Sequence, residues 1–435
     1  MMCESRQYKK AVMNMASNDD LERVVVTGMG TLNPLGNNVE SFWAALISGQ
    51  SGVSRMTLID PSDYGCQIAG EIKDFDYSKY MDKKAGRRIA RFSQIAVGAS
   101  RMALEQAGLE TSQMDESIRQ RIGVLVGNGG GAIDEDQRSM ETIHSKGPGR
   151  VDPFYISKRL GNMAGANIAI EFGLLGYNGT LVTACAAGTQ ALGEAFEIIK
   201  RGSCDVMLAG GVEAGISQLG LAGFSAMKAV SLGFNDNPTK GSRPFDKDRA
   251  GFVPAEGAAI LVLESLTHAR QRGAEPLAEI IGFGCSADAS FLVAPAENGA
   301  GAARAIGLAL ERARIDPQDI DVISAHATST GVGDIAETRA LHSVFNEHVM
   351  DIPIYAAKSM TGHMLAASGA VETIALIEGL RHSIVPPTIN LENPDRECDL
   401  DYVPHQARDL KSSIVINNSF GFGGQNSVLV LRAMI

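Results

Sequence analysis

The chain has 435 residues, of which 45% are hydrophobic and 20% charged, so it can form two large lobes and its composition excludes general disorder. Its net charge of −11 argues against nucleic-acid binding driven by counterion release. The six scattered cysteines form no C-x-x-C pair, and no apolar run is long enough to cross a bilayer. We therefore expect a cytoplasmic protein with no metal site and no membrane insertion.

The first half of the chain shows apolar strand patterns that alternate with amphipathic helical patterns. Residues 1–21 carry charges around a short apolar stretch, and we expect a flexible N-terminal extension there. The ordered part begins at Arg23 with V-V-V-T-G-M-G. Further predicted strands lie at 122–126, 180–183, 206–209 and 258–263, and predicted helices at 92–107 and 191–201.

The second half repeats this alternation after a polar seam near residues 267–276. Its predicted strands lie at 277–281, 322–325, 354–357, 413–417 and 427–431, and its predicted helices at 299–313, 334–345 and 370–380. We expect an N-terminal half at 22–271 and a C-terminal half at 272–435, with 22–433 forming one domain. Continuous apolar strands between helices indicate an α/β class with sheets covered on both faces.

Cys185 is the most informative residue, because it lies between the predicted strand 180–183 and the predicted helix 191–201. A thiol at this corner lies at or next to a helix N-terminus. The unpaired N–H groups and the helix dipole favour a thiolate there. The pattern indicates a nucleophile, although a buried structural cysteine remains the alternative.

Two histidines follow predicted strands of the second half. His326 comes directly after strand 322–325, and His363 follows strand 354–357 in K-S-M-T-G-H. Active sites of α/β folds lie beyond the carboxyl ends of parallel strands. Neutral imidazoles there can donate N–H groups to a developing oxyanion or enolate, so a thiol and two histidines suit acyl-transfer and carbanion chemistry on a thioester.

Two glycine-rich stretches carry weaker signals. G-N-G-G-G at 127–131 lacks the spacing of a dinucleotide-binding loop and the lysine of a P-loop, so nucleotide binding is poorly supported. N-N-S-F-G-F-G-G-Q-N at 417–426 is either a plain loop between two strands or a mobile gate with Phe422 at a pocket.

Several ordered motifs resemble the β-ketoacyl-acyl-carrier-protein synthases of the thiolase superfamily, and the synthase II (elongating) type in particular. They include T-A-C-A-A-G-T, S-R-P-F-D-K-D-R-A-G-F-V, H-A-T-S-T-G-V-G-D, K-S-M-T-G-H and N-S-F-G-F-G-G-Q-N, and the resemblance spans about residues 22–433. It implies the thiolase fold, in which two similar halves form a five-layer αβαβα arrangement, and a homodimer.

The resemblance also implies the reaction and the catalytic roles. Cys185 would take the acyl chain as a thioester. His326 and His363 would promote loss of CO₂ from malonyl-carrier protein and stabilise the enolate, which attacks the acyl group and extends it by two carbons. Lys358 would lie behind the histidines with Glu337 as its charge partner, since an unpaired buried lysine is costly.

Further binding roles follow from the same resemblance. The N–H groups of Cys185 and Phe422 would form the oxyanion hole, and Thr328 and Thr330 would bind the pantetheine arm of acyl-carrier protein, so that no separate cofactor is needed. We also expect a positive patch that attracts the acidic carrier protein. It comprises Lys83, Lys84, Arg87, Arg88, Arg150 and Lys228, with Arg91 next to it.

The sequence departs from the family pattern at the expected acyl pocket. Gly130 stands where relatives have a branched apolar residue, so we expect room for longer or bulkier acyl chains unless Ile133 or Met163 fills the space. The alternative function is a ketosynthase of a type II polyketide or specialised-lipid pathway. A non-catalytic partner subunit is disfavoured because the nucleophile is present.

Overall fold

The computed structural model describes residues 22–434, and the extension expected at 1–21 lies outside them. The strands are β1 Val24–Leu32, β2 Val53–Arg55, β3 Ile68–Gly70, β4 Ile122–Asn128, β5 Asn178–Leu181, β6 Val206–Glu213, β7 Gly257–Ser265, β8 Ala278–Ala287, β9 Val322–Ser324, β10 Ile354–Tyr355, β11 Ile384–Val385, β12 Arg408–Asp409, β13 Ile414–Gly421 and β14 Gln425–Ala433.

The helices lie between these strands. They are α1 Val39–Ile47, α2 Lys83–Gly86, α3 Arg91–Ala107, α4 Glu116–Arg119, α5 Ile133–Lys146, α6 Tyr155–Arg159, α7 Met163–Phe172, α8 Ala187–Lys200, α9 Gln218–Ala226, α10 Leu266–Gln271, α11 Ala300–Ala313, α12 Gly331–Phe345, α13 Lys358–Thr361 and α14 Ser368–His382. No helix within residues 22–434 is both long and apolar enough to cross a membrane.

The same strand topology occurs twice. Strands β1-β7-β6-β4-β5 and strands β8-β14-β13-β9-β10 follow the same spatial order. In each set the first strand pairs antiparallel with the second and the second antiparallel with the third. The third then pairs parallel with the fourth, and the fourth parallel with the fifth. A short β1–β8 pairing joins the two sets into one ten-stranded sheet. The repeat indicates two copies of one α/β unit.

Helices cover both faces of each set, which produces five layers. Helices α3 and α7 lie on the outer face of the first set, and α11, with α12 against it, lies on the outer face of the second. Between the sets, α8 and α14 contact each other and strands of both. The predicted α/β class and the five-layer thiolase fold are therefore confirmed, and Cys185 and His363 each lie a few residues before a central helix, α8 and α14 respectively.

Strand β5 differs from its prediction. It ends at Leu181, two residues before the predicted end, and pairs only with β4 at the edge of the sheet. Its residues are only partly buried, and Val182 just after it is 61% exposed. Apolar β-branched residues predict a strand, but they do not show that the second face and the outer edge of this strand remain uncovered.

Candidate active site

Cys185 lies on a tight turn between β5 and α8. The turn Ala184–Ala186 is a single 3₁₀ segment that leads directly into α8. Ala184 has a φ of 49°, in the left-handed region that residues with a Cβ rarely adopt, so the chain changes direction sharply. Cys185 is 5% exposed. The predicted strand–turn–helix setting is present, with the helix beginning earlier than expected.

Cys185, His326 and His363 meet at one cavity of about 390 Å³. The Nε2 atom of His363 lies 3.0 Å from the Cys185 sulfur, and the two imidazole rings are 5.5 Å apart and nearly perpendicular. The sulfur and one nitrogen from each ring all lie within 4.8 Å of one another. These donor types can bind zinc, but the same arrangement also suits a nucleophile beside two hydrogen-bond donors.

Burial controls the protonation of Cys185. It raises the pKa of the thiol to about 12, although the Lys358 charge opposes the shift and Glu213 adds to it. The backbone N–H groups of Phe422 and Cys185 itself also favour the thiolate. In the resting site, burial therefore opposes the thiolate that the helix N-terminus favours.

Both histidines are neutral in this environment. Burial lowers the pKa of His326 and of His363 well below its usual range, and the Lys358 charge lowers both further. A neutral imidazole keeps one N–H group and carries no charge, so it can donate a hydrogen bond to an oxygen that becomes negative during the reaction. The charge of Lys358 therefore favours the neutral form of both rings.

Lys358 pairs with Glu372, which corrects the predicted pairing with Glu337. The lysine Nζ atom lies 2.5 Å from Glu372 Oε1, and both side chains are 1% exposed. Glu337 instead accepts the backbone N–H groups of His326 at 2.8 Å and Ala327 at 2.7 Å. Since both Glu337 oxygens are used in this way, Glu337 fixes the strand end that carries His326.

The predicted binding residues Thr328, Thr330 and Phe422 all line the cavity. The two threonine hydroxyls lie 3.1 Å apart, while Ser329 between them turns to accept the Arg243 backbone N–H. Phe422 lies in the tight turn between β13 and β14. Two hydroxyl groups and an aromatic side chain therefore face the same cavity as Cys185.

The predicted acyl-pocket residues lie elsewhere. Gly130, Ile133 and Met163 do not line the cavity that contains Cys185. A Cβ atom at Gly130 would come within 2.9 Å of Ile133 Cδ1, so Ile133 fills the volume expected to be free. The expected extra room is thus absent from this structure, because a neighbouring side chain compensates for the glycine.

The predicted basic residues are exposed. Lys83, Lys84, Arg87, Arg88, Arg150 and Lys228 form no ion pair within residues 22–434. Lys228 lines the cavity, and the Arg88 guanidinium lies over the Phe154 ring, close in sequence to Arg150. Arg91 does not contribute a free charge, because it pairs with Glu256 at 2.6 Å.

Sequence reasoning missed Glu213, a fully buried carboxylate at the end of β6. Its two oxygens accept the N–H groups of Gly129 and Gly130, each at 3.1 Å. Burial raises the pKa of Glu213 to about 7. The sequence does contain a signal for this residue, because Glu213 is a single acidic residue at the end of an otherwise apolar strand. The glycine-rich turn at 127–131 therefore binds a carboxylate of the same chain.

Family models match most of the chain. The model described as Beta-ketoacyl synthase, N-terminal domain, matches residues 21–269, and the one described as Beta-ketoacyl synthase, C-terminal domain, matches residues 277–392. The chain belongs to the beta-ketoacyl synthase family. This confirms the predicted family and the predicted enzyme class, an acyltransferase that forms a carbon–carbon bond.

Individual relatives agree with this assignment. The chain is 44% identical to 3-oxoacyl-[acyl-carrier-protein] synthase 2 of Synechocystis over 96% of this chain and 99% of that protein. It is also 44% identical to the protein of the same name from Staphylococcus aureus, over 94% of this chain and 98% of the other.

Solved structures share the fold. A beta-ketoacyl synthase from Burkholderia phymatum has a TM-score of 0.88 and 37% identity over 95% of this chain and 100% of its own. A type II polyketide ketosynthase, AntDE, in complex with its acyl-carrier protein AntF, has a TM-score of 0.88 and 35% identity over 96% and 100%. The chain is 44% identical to the 3-oxoacyl synthases and 35% identical to the polyketide ketosynthase. This difference confirms the predicted condensing function and favours it over the polyketide alternative.

Proposed function

We propose that this enzyme elongates fatty acyl chains by two carbons, with Cys185 as nucleophile and His326 and His363 as donors to the enolate. The observation that carries the assignment is the meeting of these three side chains at one cavity, with the sulfur 3.0 Å from His363 Nε2. The substrates arrive on the pantetheine arm of acyl-carrier protein. No redox change occurs in the reaction, so no separate cofactor is required.

The first step transfers the acyl group. The Cys185 sulfur attacks the carbonyl carbon of the acyl thioester, and the C–S bond to pantetheine breaks. The N–H groups of Cys185 and Phe422, which favour negative charge at the sulfur in the resting site, would stabilise the oxyanion of the tetrahedral intermediate. The thiol proton finally resides on the released pantetheine thiol.

The second step forms the new carbon–carbon bond. Malonyl-carrier protein loses CO₂, and the electron pair of the broken C–C bond becomes an enolate whose oxygen accepts N–H groups from His326 and His363. Both rings are neutral because burial and Lys358 lower their pKa values. The enolate carbon attacks the acyl-Cys185 carbonyl, the sulfur leaves and regains a proton, and 3-oxoacyl-carrier protein is released.

Purified enzyme, acyl-carrier-protein substrates and mass spectrometry test this function. Wild-type enzyme should convert acyl- and malonyl-carrier protein to the 3-oxoacyl product, and Cys185→Ala should form none. The double variant His326→Ala/His363→Ala should still acylate Cys185 but should release no CO₂ from malonyl-carrier protein. Product formation by Cys185→Ala would refute the assignment.

The exposed basic patch supports docking of acyl-carrier protein. The AntDE ketosynthase binds such a carrier, and Lys228 lies at the cavity where a pantetheine arm would enter. We expect Lys84→Glu/Arg87→Glu to raise the KM for carrier-bound substrate at low salt. Arg270→Glu is the matched control. Arg270 lies on α10, which follows β7 at the end far from Glu213, because Glu213 pairs with Gly257 at the start of β7. An unchanged KM in the double variant would disprove the role of the patch.

A homodimer is supported by the uncovered edge of the sheet. Apolar side chains on and near β5 and α7 are exposed, including Val182 at 61% and Ile170 at 75%. A second copy on this edge would cover them and pair with β5. Light scattering should give twice the chain mass for wild type and a lower mass for Val182→Asp. A monomeric wild type would contradict this part.

Cytoplasmic location is supported by five unpaired cysteines within residues 22–434, since a reducing compartment keeps Cys185 available. Cell fractionation tests it. We propose a boundary between the halves at 271/272, and it is supported by the end of α10 at Gln271 and the start of β8 at Ala278.

A further inference from the structure

Ser368, at the start of α14, makes a contact to the catalytic centre that the mechanism above does not use. Its side chain is fully buried, and its Oγ atom lies 3.1 Å from His363 Nδ1. The same oxygen accepts the backbone N–H of Met364 at 2.9 Å. The serine therefore contacts the ring nitrogen opposite the one that faces Cys185.

The hydrogen-bond pattern determines where the proton of the His363 ring lies. A backbone N–H can only donate, so one lone pair of the Ser368 oxygen is used by Met364. Within residues 22–434 the hydroxyl has no other side-chain or backbone partner except His363 Nδ1. If Nδ1 carried the ring proton, the hydroxyl proton would be buried without an acceptor, which is strongly unfavourable. The satisfied arrangement has Ser368 donating to Nδ1.

The ring proton is then on Nε2, the atom 3.0 Å from the Cys185 sulfur. This is the N–H group that can hydrogen-bond a thiolate, and later the oxygen of the enolate. His326 lacks an equivalent constraint, because its Nδ1 atom is buried without a partner among the described residues. The two histidines therefore differ: one has a preset tautomer and the other does not.

We propose that Ser368 is a positioning residue that holds His363 in the Nε2–H tautomer and so preorganises it as a hydrogen-bond donor. The consequence for catalysis rests on the proposed function. The tautomer itself does not, because it follows from hydrogen bonds in the resting protein. Loss of one such bond should lower kcat for malonyl decarboxylation about tenfold, with little change in KM.

The test uses ¹⁵N-histidine-labelled full-length protein, since protonated and unprotonated ring nitrogens have well-separated NMR shifts. Wild type should show His363, assigned by comparison with His363→Ala, as the Nε2–H form. Ser368→Ala should shift the His363 signals toward a mixture of tautomers and lose about tenfold in kcat. Ser368→Thr, which keeps a hydroxyl, should restore both. Ser100→Ala, which removes a buried hydroxyl bonded to Ala96 O on α3, is the matched control.

Three results would overturn the inference. These are an Nδ1–H tautomer in wild type, an unchanged spectrum with unchanged kcat in Ser368→Ala, or the same loss in Ser100→Ala. The wild-type spectrum keeps the test valid even if Ser368→Ala fails to fold. A wild-type enzyme with the Nε2–H tautomer but no CO₂ release would instead refute the proposed function and leave the tautomer assignment intact.

Discussion

The buried pair Lys358–Glu372 gives the sharpest prediction about the site. The two charges lie 2.5 Å apart and each side chain is 1% exposed. Glu372→Gln leaves the ammonium group buried without a counter-charge, and breaking such a pair from one side costs about 3–5 kcal/mol of unfolding free energy. Lys358→Met should cost less, because burial already raises the pKa of Glu372 and the carboxyl can take up a proton.

A double-mutant cycle measured by urea denaturation tests the partner assignment. The double variant Lys358→Met/Glu372→Gln should recover part of the lost stability, with a coupling energy of about 2–3 kcal/mol. The matched cycle between Lys358 and Glu337 should give less than about 1 kcal/mol, because Glu337 bonds to backbone N–H groups instead. A Glu337 coupling as large as that of Glu372 would refute the pairing.

Three other substitutions have definite expected outcomes. Glu213→Gln removes a charge that raises the pKa of Cys185, so iodoacetamide should alkylate Cys185 at lower pH. The control Glu71→Gln alters another buried acceptor of backbone N–H groups and should leave the pH dependence of alkylation unchanged. A shift of this pH dependence below about half a pH unit in Glu213→Gln contradicts the prediction. Arg272 and His268 help to lower the pKa of buried Glu264 to about 2 from 4.5. Its charge therefore stabilises the fold above about pH 4.5 and loses this effect as pH falls toward 2. The difference in unfolding free energy between wild type and Glu264→Gln should shrink by about 3 kcal/mol over that range. A difference that stays constant in urea denaturation at acidic pH would contradict this prediction. Ile133→Ala tests whether the acyl chain extends past the Cys185 cavity, which Ile133 does not line. Opening the space beside Gly130 should then lengthen the preferred acyl chain in a chain-length series, and an unchanged optimum would exclude this position from the acyl pocket.

The main features of the fold and the chemical centre could be predicted from local patterns. The apolar and amphipathic sequence patterns predict α3, α11 and β14 with bounds close to the observed ones, because burial of a whole face leaves a strong periodic signal in the sequence. Cys185 and His326 could be identified because each lies a few residues beyond a strand, and His363 because it follows β10 and the short helix α13. The two halves pack against each other across α8 and α14, and this packing brings the three side chains to one cavity.

Contacts between distant segments could not be predicted. Lys358 has two buried acidic candidates, and only the folded structure shows that it pairs with Glu372 while Glu337 accepts a backbone N–H group. The high pKa of Cys185 likewise depends on burial by segments far away in sequence. The sequence named Ile133 and Met163 as residues that could fill the space at Gly130, but only the side-chain positions show that Ile133 does so.

Intact-mass spectrometry with peptide mapping tests the central claim most directly. Wild-type enzyme incubated with acyl-carrier protein should gain the mass of one acyl group, located on Cys185, and should lose it as 3-oxoacyl-carrier protein when malonyl-carrier protein is added. An enzyme that makes product with no acyl group on Cys185, or that carries the acyl group on another residue, would contradict the account.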